Sequence, residues 1–536
     1  MRNNAGTATV TTSPARVLTN PNDFLLNSQL EQATLEIREG FKPSNTNKAF
    51  DPKIDEYFQF CDKVYPHDPY KYVLDKEKVY RFMFFQAFRE KKKSGGNRAS
   101  LNAGIRFDYD AYKNVMRHFT VQEGEESEAG VGYPTPTHPI KPSTFSQYKA
   151  VFRKIFKVQI ARRVTSQTWE QIWQMCFDDL FQHVKERAPM IKKQTYQEKV
   201  NGEFASYTIV ENYDRIEEAF WNESIAPSRR SVCTALRHRY CLLHLTSGIL
   251  RCESLYRAEL SDFIGLTPPQ RDTDIHQMFL MINQIPVGKT NHGRVLYGCA
   301  TRHKDVRLCC IGALAFYLQY RFYLTDEFAD FTVDNWCKNS DWFDVKLLVD
   351  VATKDTTKSM TNDSYGDKIR AVLKKLQITS SKALHLGKNI GAKILDLLEE
   401  ESEEIRRMGQ WNPSMFDTHY SSKLPMGPIR KLAGYASTNK MYFNTRTTVK
   451  PCDLLLRSTP IGKFAYDGLS GVTDKLIDGG SHDTAYAVLS FLTKLNEVFL
   501  QDAAAMMLDG RGDGRKEHPV FNELEVFQLE EFKVML

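Results

Sequence analysis

Residues 277–300 constrain the fold more than any other stretch of the chain. Gln277 to Ile285 (Gln-Met-Phe-Leu-Met-Ile-Asn-Gln-Ile) is short, rich in bulky and β-branched side chains, and flanked by turn residues. Arg294 to Ala300 is a second segment of the same kind. The two are separated by Pro286-Val287-Gly288-Lys289-Thr290-Asn291-His292-Gly293. Two such runs joined by a glycine-containing loop predict a β-hairpin. Elsewhere the apolar residues recur mostly at helical spacing. The expectation is therefore a mainly α chain with a small β-sheet or hairpin.

The helical regions fall into blocks. The first forty-odd residues are polar and aperiodic, so 1–45 reads as a flexible tail. Tyr57, Phe58, Phe60 and Val64, then Val79, Phe82, Phe84, Phe85 and Phe88, form an aromatic-rich helical stretch that requires burial. It ends in a basic, glycine-broken run, Arg89 to Arg98, containing Lys91, Lys92 and Lys93. A second helical piece spans Tyr109 to Phe119. Residues 122–143, with Pro134, Pro136, Pro139 and Pro142, read as a loop. Helical periodicity then runs from Phe145 to about Lys193, with Lys149, Arg153, Lys154, Lys157, Arg162 and Arg163 interleaved. After a break near 222–229, helices are expected at Ile311–Tyr323, Lys388–Leu398, Glu403–Met408 and Thr484–Leu508. The domain expectation is a helical unit at 46–225, an α+β unit at 226–445 and a C-terminal helical segment at 446–536.

Composition narrows the classes. A chain of 536 residues, 42% hydrophobic and 26% charged, can build two or three cores and is unlike a disordered or fibrous protein. Its 72 basic against 66 acidic residues give a net charge of +6, which permits a polyanionic partner without requiring one. No apolar run approaches the ~18 residues of a membrane span. Met1 to Asn20 has no apolar core and does not read as a secretory signal. Ten scattered cysteines with no C-x-x-C pair argue against a metal site and for a reducing compartment, cytosol or nucleus.

Four local features bear on chemistry. Taken alone, each has an ordinary reading. Arg251, in Leu250-Arg251-Cys252-Glu253-Ser254, follows an apolar turn and can cap or salt-bridge. Lys289, at the tip of the proposed hairpin, can be a solvated charge. His385-Leu386-Gly387-Lys388 opens a helix on which Ile390, Ile394, Leu397 and Leu398 make the apolar stripe. At ~100° per residue Lys388 falls off that stripe, facing a ligand or water. The fourth is Gly409-Gln410-Trp411-Asn412-Pro413, with Tyr420 nine residues after the tryptophan.

In order and spacing these features resemble the active-site series of tyrosine recombinases. Lys388 to Trp411 is 23 residues and Trp411 to Tyr420 nine, as in that family. Ala258-Glu259-Leu260-Ser261-Asp262, Gly288-Lys289-Thr290-Asn291, Arg302-His303-Lys304-Asp305 and Ile405 to Asn412 look like the fungal Crypton-type recombinases. The resemblance covers roughly residues 240–450. It extends to the DNA-binding subunit of the fungal point-centromere complex, which shares the fold without the catalysis.

The resemblance implies a tyrosine-recombinase fold, with a helical core-binding domain and an α+β catalytic domain closing around double-stranded DNA. It implies that Tyr420 attacks phosphorus to leave a 3′-phosphotyrosine, with Arg251 holding the phosphate, Lys289 as general acid, and His385 and Trp411 positioning the phosphate. Lys388 stands where the family has arginine, and lysine cannot make a planar two-pronged contact. DNA contacts are expected from Lys91, Lys92, Lys93, Arg98, Lys149, Arg153, Lys154, Arg162, Arg302 and Lys304. No metal or other cofactor, a homo-oligomer on DNA and a nuclear location are also implied. Two readings stay open: an active DNA recombination and integration enzyme of the transposable-element type, or a non-catalytic centromeric or regulatory DNA-binding protein. An ordinary helical interaction protein is the third class.

Overall fold

The computed structural model describes residues 44–90, 107–117, 139–162, 164–173, 175–194, 209–223, 228–286, 295–350, 355–378, 383–410, 424–435, 441–478, 481–509 and 517–536, with the single positions 136 and 380. It divides into two compact units, residues 1–196 and 197–536. The division falls earlier than the expected boundary at 225. The helix preceding that break buries Tyr213, Ile216, Phe220 and Trp221 in the second unit's core.

The first unit contains α1 (Ser44–Val64), α2 (Lys76–Phe88), α3 (Tyr109–Arg117), α4 (Pro142–Ala161), α5 (Trp169–Ile172) and α6 (Met175–Gln194). Asp75 caps α2, its carboxylate accepting from the Lys78 amide at 2.9 Å. The aromatic stretch packs edge to face: Phe82 lies 5.4 Å from Tyr57 and 5.8 Å from Phe152 between ring centroids. The long helix expected from 145 to 193 is interrupted. It ends at Ala161, and a capping box formed by Thr168 and Gln171 starts a new turn at Trp169.

The second unit contains α7 (Tyr213–Glu223), α8 (Arg229–Ser247), α9 (Cys252–Tyr256), β1 (Phe263–Leu266), β2 (Leu280–Ile285), β3 (Leu296–Thr301), α10 (Cys310–Thr325), α11 (Asn362–Lys375), α12 (Leu386–Leu397), α13 (Ser402–Met408), α14 (Met426–Leu432), α15 (Gly462–Ile477) and α16 (Asp483–Leu508), with shorter turns between. The fold is mainly α with one small sheet. The expected hairpin is present as β2 and β3, pairing Leu280 with Thr301 through Ile285 with Leu296. A third strand, β1, adds antiparallel to β2, Phe263 opposite Asn283. It has four residues, two of them exposed, so it carried no alternation to read. Inside it a Cβ at Gly265 would sit 2.7 Å from the Phe279 ring, which would have to shift to admit it.

Residues 446–536 are not a separate layer. Val488, Leu492, Leu495 and Phe499 of α16 are fully buried in the same core as α8 and α10. α15 packs along α16. No described helix is long and apolar enough to cross a membrane.

Candidate functional site

α8 and α12 approach each other through glycines. A Cβ on Gly387 would lie 2.7 Å from Leu245 Cβ, and one on Gly391 only 2.2 Å from the Thr246 carbonyl oxygen. The Gly-x-x-x-Gly spacing of Gly387 and Gly391 is the sequence signal of this close helix contact. The contact brings the start of α12 against the turn that ends α8.

That turn is strained. Ile249 has φ of 48°, in the left-handed region that a β-branched residue rarely enters. It is held there by burial and by hydrogen bonds from Ile249 N to Thr246 O (3.3 Å) and from Leu250 N to Leu245 O (3.1 Å). Arg251 follows at once, half-buried, as the residue before α9.

Of the six candidate catalytic positions, Arg251, His385 and Lys388 are described; Lys289, Trp411 and Tyr420 lie outside the described residues. His385 is exposed at the N-terminus of α12, one turn from Lys388. The expectation that Lys388 faces water or ligand is corrected. Its side chain is buried, 6% exposed, and its Nζ donates to the Gly409 carbonyl at 2.7 Å. The helical-wheel argument failed because α12 is covered on more than one side, by α8 and by the turn after α13. Burial, then the nearby Arg251 charge, pulls the Lys388 ammonium down to about 7. Arg251 and Lys388 are therefore electrostatic neighbours.

The turn that Lys388 holds leads towards Trp411. Gln410 has φ of 54°, and its side-chain amide donates to Tyr297 O of β3 at 3.1 Å. In the same sheet, Asn283 Oδ1 of β2 accepts from His244 Nε2 at 3.1 Å, and burial takes that imidazole down to about 4. The sheet, α8 and the start of α12 are thus tied together around the Arg251 turn.

The expected DNA contacts divide. Arg302 is corrected: it is 1% exposed and is bonded to Gln501 and paired with Asp502, so it is an interior strut. Arg446 joins the same carboxylate at 2.8 Å. Lys304 is exposed, its ammonium 4.9 Å from the centre of the Phe443 ring. In the first unit Arg153 and Arg162 are exposed and Lys149 and Lys154 half-buried. Lys149 pairs with Asp178 at 3.1 Å and lies over Trp173; Arg153 lies over Trp169. Lys91, Lys92, Lys93 and Arg98 lie outside the described residues. Among the described residues no group of three or more His, Cys, Asp or Glu side chains could hold a metal ion.

No curated protein matches the sequence. Two solved structures with similarity to the chain are a FLP recombinase–Holliday junction complex and a Flpe mutant–DNA Holliday junction complex. The first is 10% identical, covers 86% of this chain and 99% of its own, and has a TM-score of 0.31. The second is 12% identical, covers 78% and 97%, and has a TM-score of 0.30. A family model matches residues 238–533, more than half of the sequence and well beyond the segment where the motif resemblance ended. The chain belongs to the family described as the centromere DNA-binding protein complex CBF3 subunit, domain 2.

Proposed function

We propose that the chain binds double-stranded DNA through a recombinase-like site that now contacts phosphate rather than cutting it. The observation that carries this reading is the placement of Lys388. An ammonium spent on the Gly409 carbonyl inside the protein is withdrawn from a scissile phosphate. Arg251, half-exposed beside the first turn of α12, keeps its guanidinium where a phosphate can take charge-assisted bonds. Membership of a centromere DNA-binding family supports DNA as the partner. A nuclear location and self-association on DNA belong to the same proposal.

A second reading is favoured by the retention of Lys289 and Tyr420 at the expected places in the sequence. In it the Tyr420 oxygen attacks phosphorus and the bond to the 5′-oxygen breaks. Lys289 then protonates that oxygen, and a 3′-phosphotyrosine remains, as in Crypton-type transposition. The loss of one charged hydrogen bond at position 388 costs roughly 1.5–3 kcal/mol, which slows such an enzyme about ten- to a hundredfold.

A nicked suicide duplex separates the two. Salt-dependent duplex binding without a covalent adduct is expected. An adduct that forms with the unaltered protein and vanishes in Tyr420→Phe would establish the second reading. No duplex binding at low salt would remove both.

A further inference from the structure

In the first unit α4 presents Lys149, Arg153 and Lys157 at four-residue spacing, a row about 12 Å long on one helix face. Arg153 and Lys157 are exposed, and neither has a carboxylate partner among the described residues. Elsewhere on the unit the exposed Arg81 and Lys113 each sit against an acid, 2.6 Å from Glu77 and 2.9 Å from Asp110. A row of cations left without acids fits a polyanion. Over about 12 Å one strand of a DNA duplex carries about three or four phosphates.

The row is built on tryptophans. The short turn of α5, capped by Thr168, sets Trp169 and Trp173 four residues apart, and their rings stack 5.6 Å apart at an angle of 8°. The Arg153 guanidinium lies 5.6 Å from the centre of the Trp169 ring, and Lys149 Nζ 4.7 Å from that of Trp173. Phe177 of α6 continues the stack, 4.4 Å from Trp173. Long cationic side chains ordinarily lose rotamer freedom when they bind, and stacking holds these two before any ligand arrives. The rings themselves are not a platform for bases. Trp173 is buried, and Trp169 is already engaged by Trp173 and Arg153.

Lys149 already holds an anion. Asp178 Oδ1 accepts from Lys149 Nζ at 3.1 Å and from Trp173 Nε1 at 3.3 Å. The lysine bond keeps this exposed carboxyl below its usual range, so it is charged at neutral pH. A phosphate oxygen can take the same two donors.

We propose that this row contacts the phosphate backbone of duplex DNA, that Trp169 and Trp173 are positioning residues for Arg153 and Lys149, and that Asp178 occupies the Lys149 donors until a phosphate displaces it. The inference rests on the reading of the chain as a duplex-binding protein.

Salt titrations of duplex binding by the full chain test it. Arg153→Gln and Lys157→Gln, both at exposed positions, should each reduce the slope of log K against log salt by about 0.9. Asp178→Asn should strengthen binding about two- to fivefold. Trp169→Leu, compared at matched folded fraction, should weaken binding about two- to fivefold with the slope unchanged, and Trp169→Phe should retain most of the affinity. Unaltered affinity and slope in both glutamine variants, with Arg251→Ala still weakening binding, would overturn the proposal and leave the duplex reading standing. Weaker binding by Asp178→Asn would overturn the role given to that carboxylate. A preference for single-stranded oligonucleotide that Trp169→Leu abolishes would overturn the positioning role, because the ring would then be stacking bases. No duplex binding at low salt would remove both the proposal and the reading it rests on.

Discussion

The guanidinium of Arg302 meets the carboxylate of Asp502 in the interior of the second unit, 200 residues away along the chain. Arg446 pairs with the same carboxylate and donates to the backbone oxygens of His303 (2.6 Å) and Lys304 (2.9 Å). One anion therefore joins the end of β3, α16 and the segment at 441–448. Asp502→Ala should destabilise the chain by about 3–5 kcal/mol, because two guanidiniums are left buried without their carboxylate. Urea denaturation measures it, and a loss below about 1 kcal/mol would contradict the network.

Lys388 gives a pH signature. Its ammonium is held at about 7 in the folded state by burial and by Arg251, against 10.5 unfolded. Between those values the unfolded chain binds the extra proton, so stability rises with pH at up to ~1.4 kcal/mol per unit. Lys388→Met removes that proton. The stability difference, original minus variant, should grow from pH 7 to 9; a flat difference would show that the ammonium is not desolvated.

Gly391→Ala tests the helix contact that builds the site. The new methyl would sit 2.2 Å from the Thr246 oxygen and must push α12 away from α8. A loss of roughly 1–3 kcal/mol is expected from such overpacking. DNA affinity should fall with it, because the Arg251 turn moves; thermal unfolding and anisotropy titration report the two effects.

Arg251→Ala should weaken duplex binding by about ten- to a hundredfold, compared at matched folded fraction. Charge reversal at Lys91, Lys92 and Lys93 should weaken binding to all sequences alike and flatten its salt dependence. Arg302→Ala should do the opposite of Arg251→Ala, lowering stability first. Equal effects of the two arginine variants on DNA at matched folded fraction would refute this division.

The hairpin, the aromatic helices at 44–88 and the cores of α10 and α16 were legible because their periodicities are local. β1 was not, since four residues with a central glycine show no alternation. The burial of Arg302 and Lys388 is not legible in the sequence for one physical reason: it is decided by partners distant along the chain. Asp502 is 200 residues from Arg302, and the turn that accepts from Lys388 lies 21 residues on. The strained turn at Ile249 is invisible in sequence because nothing about isoleucine announces a positive φ.

The burial of α16 sets an order of events during synthesis. β1 and α10 leave the ribosome long before Asp483, yet part of the apolar face of each closes against residues 483–508. A nascent second unit must therefore wait, open and sticky, for nearly 160 residues after α10 is made. Chaperone demand should accordingly be concentrated in that interval.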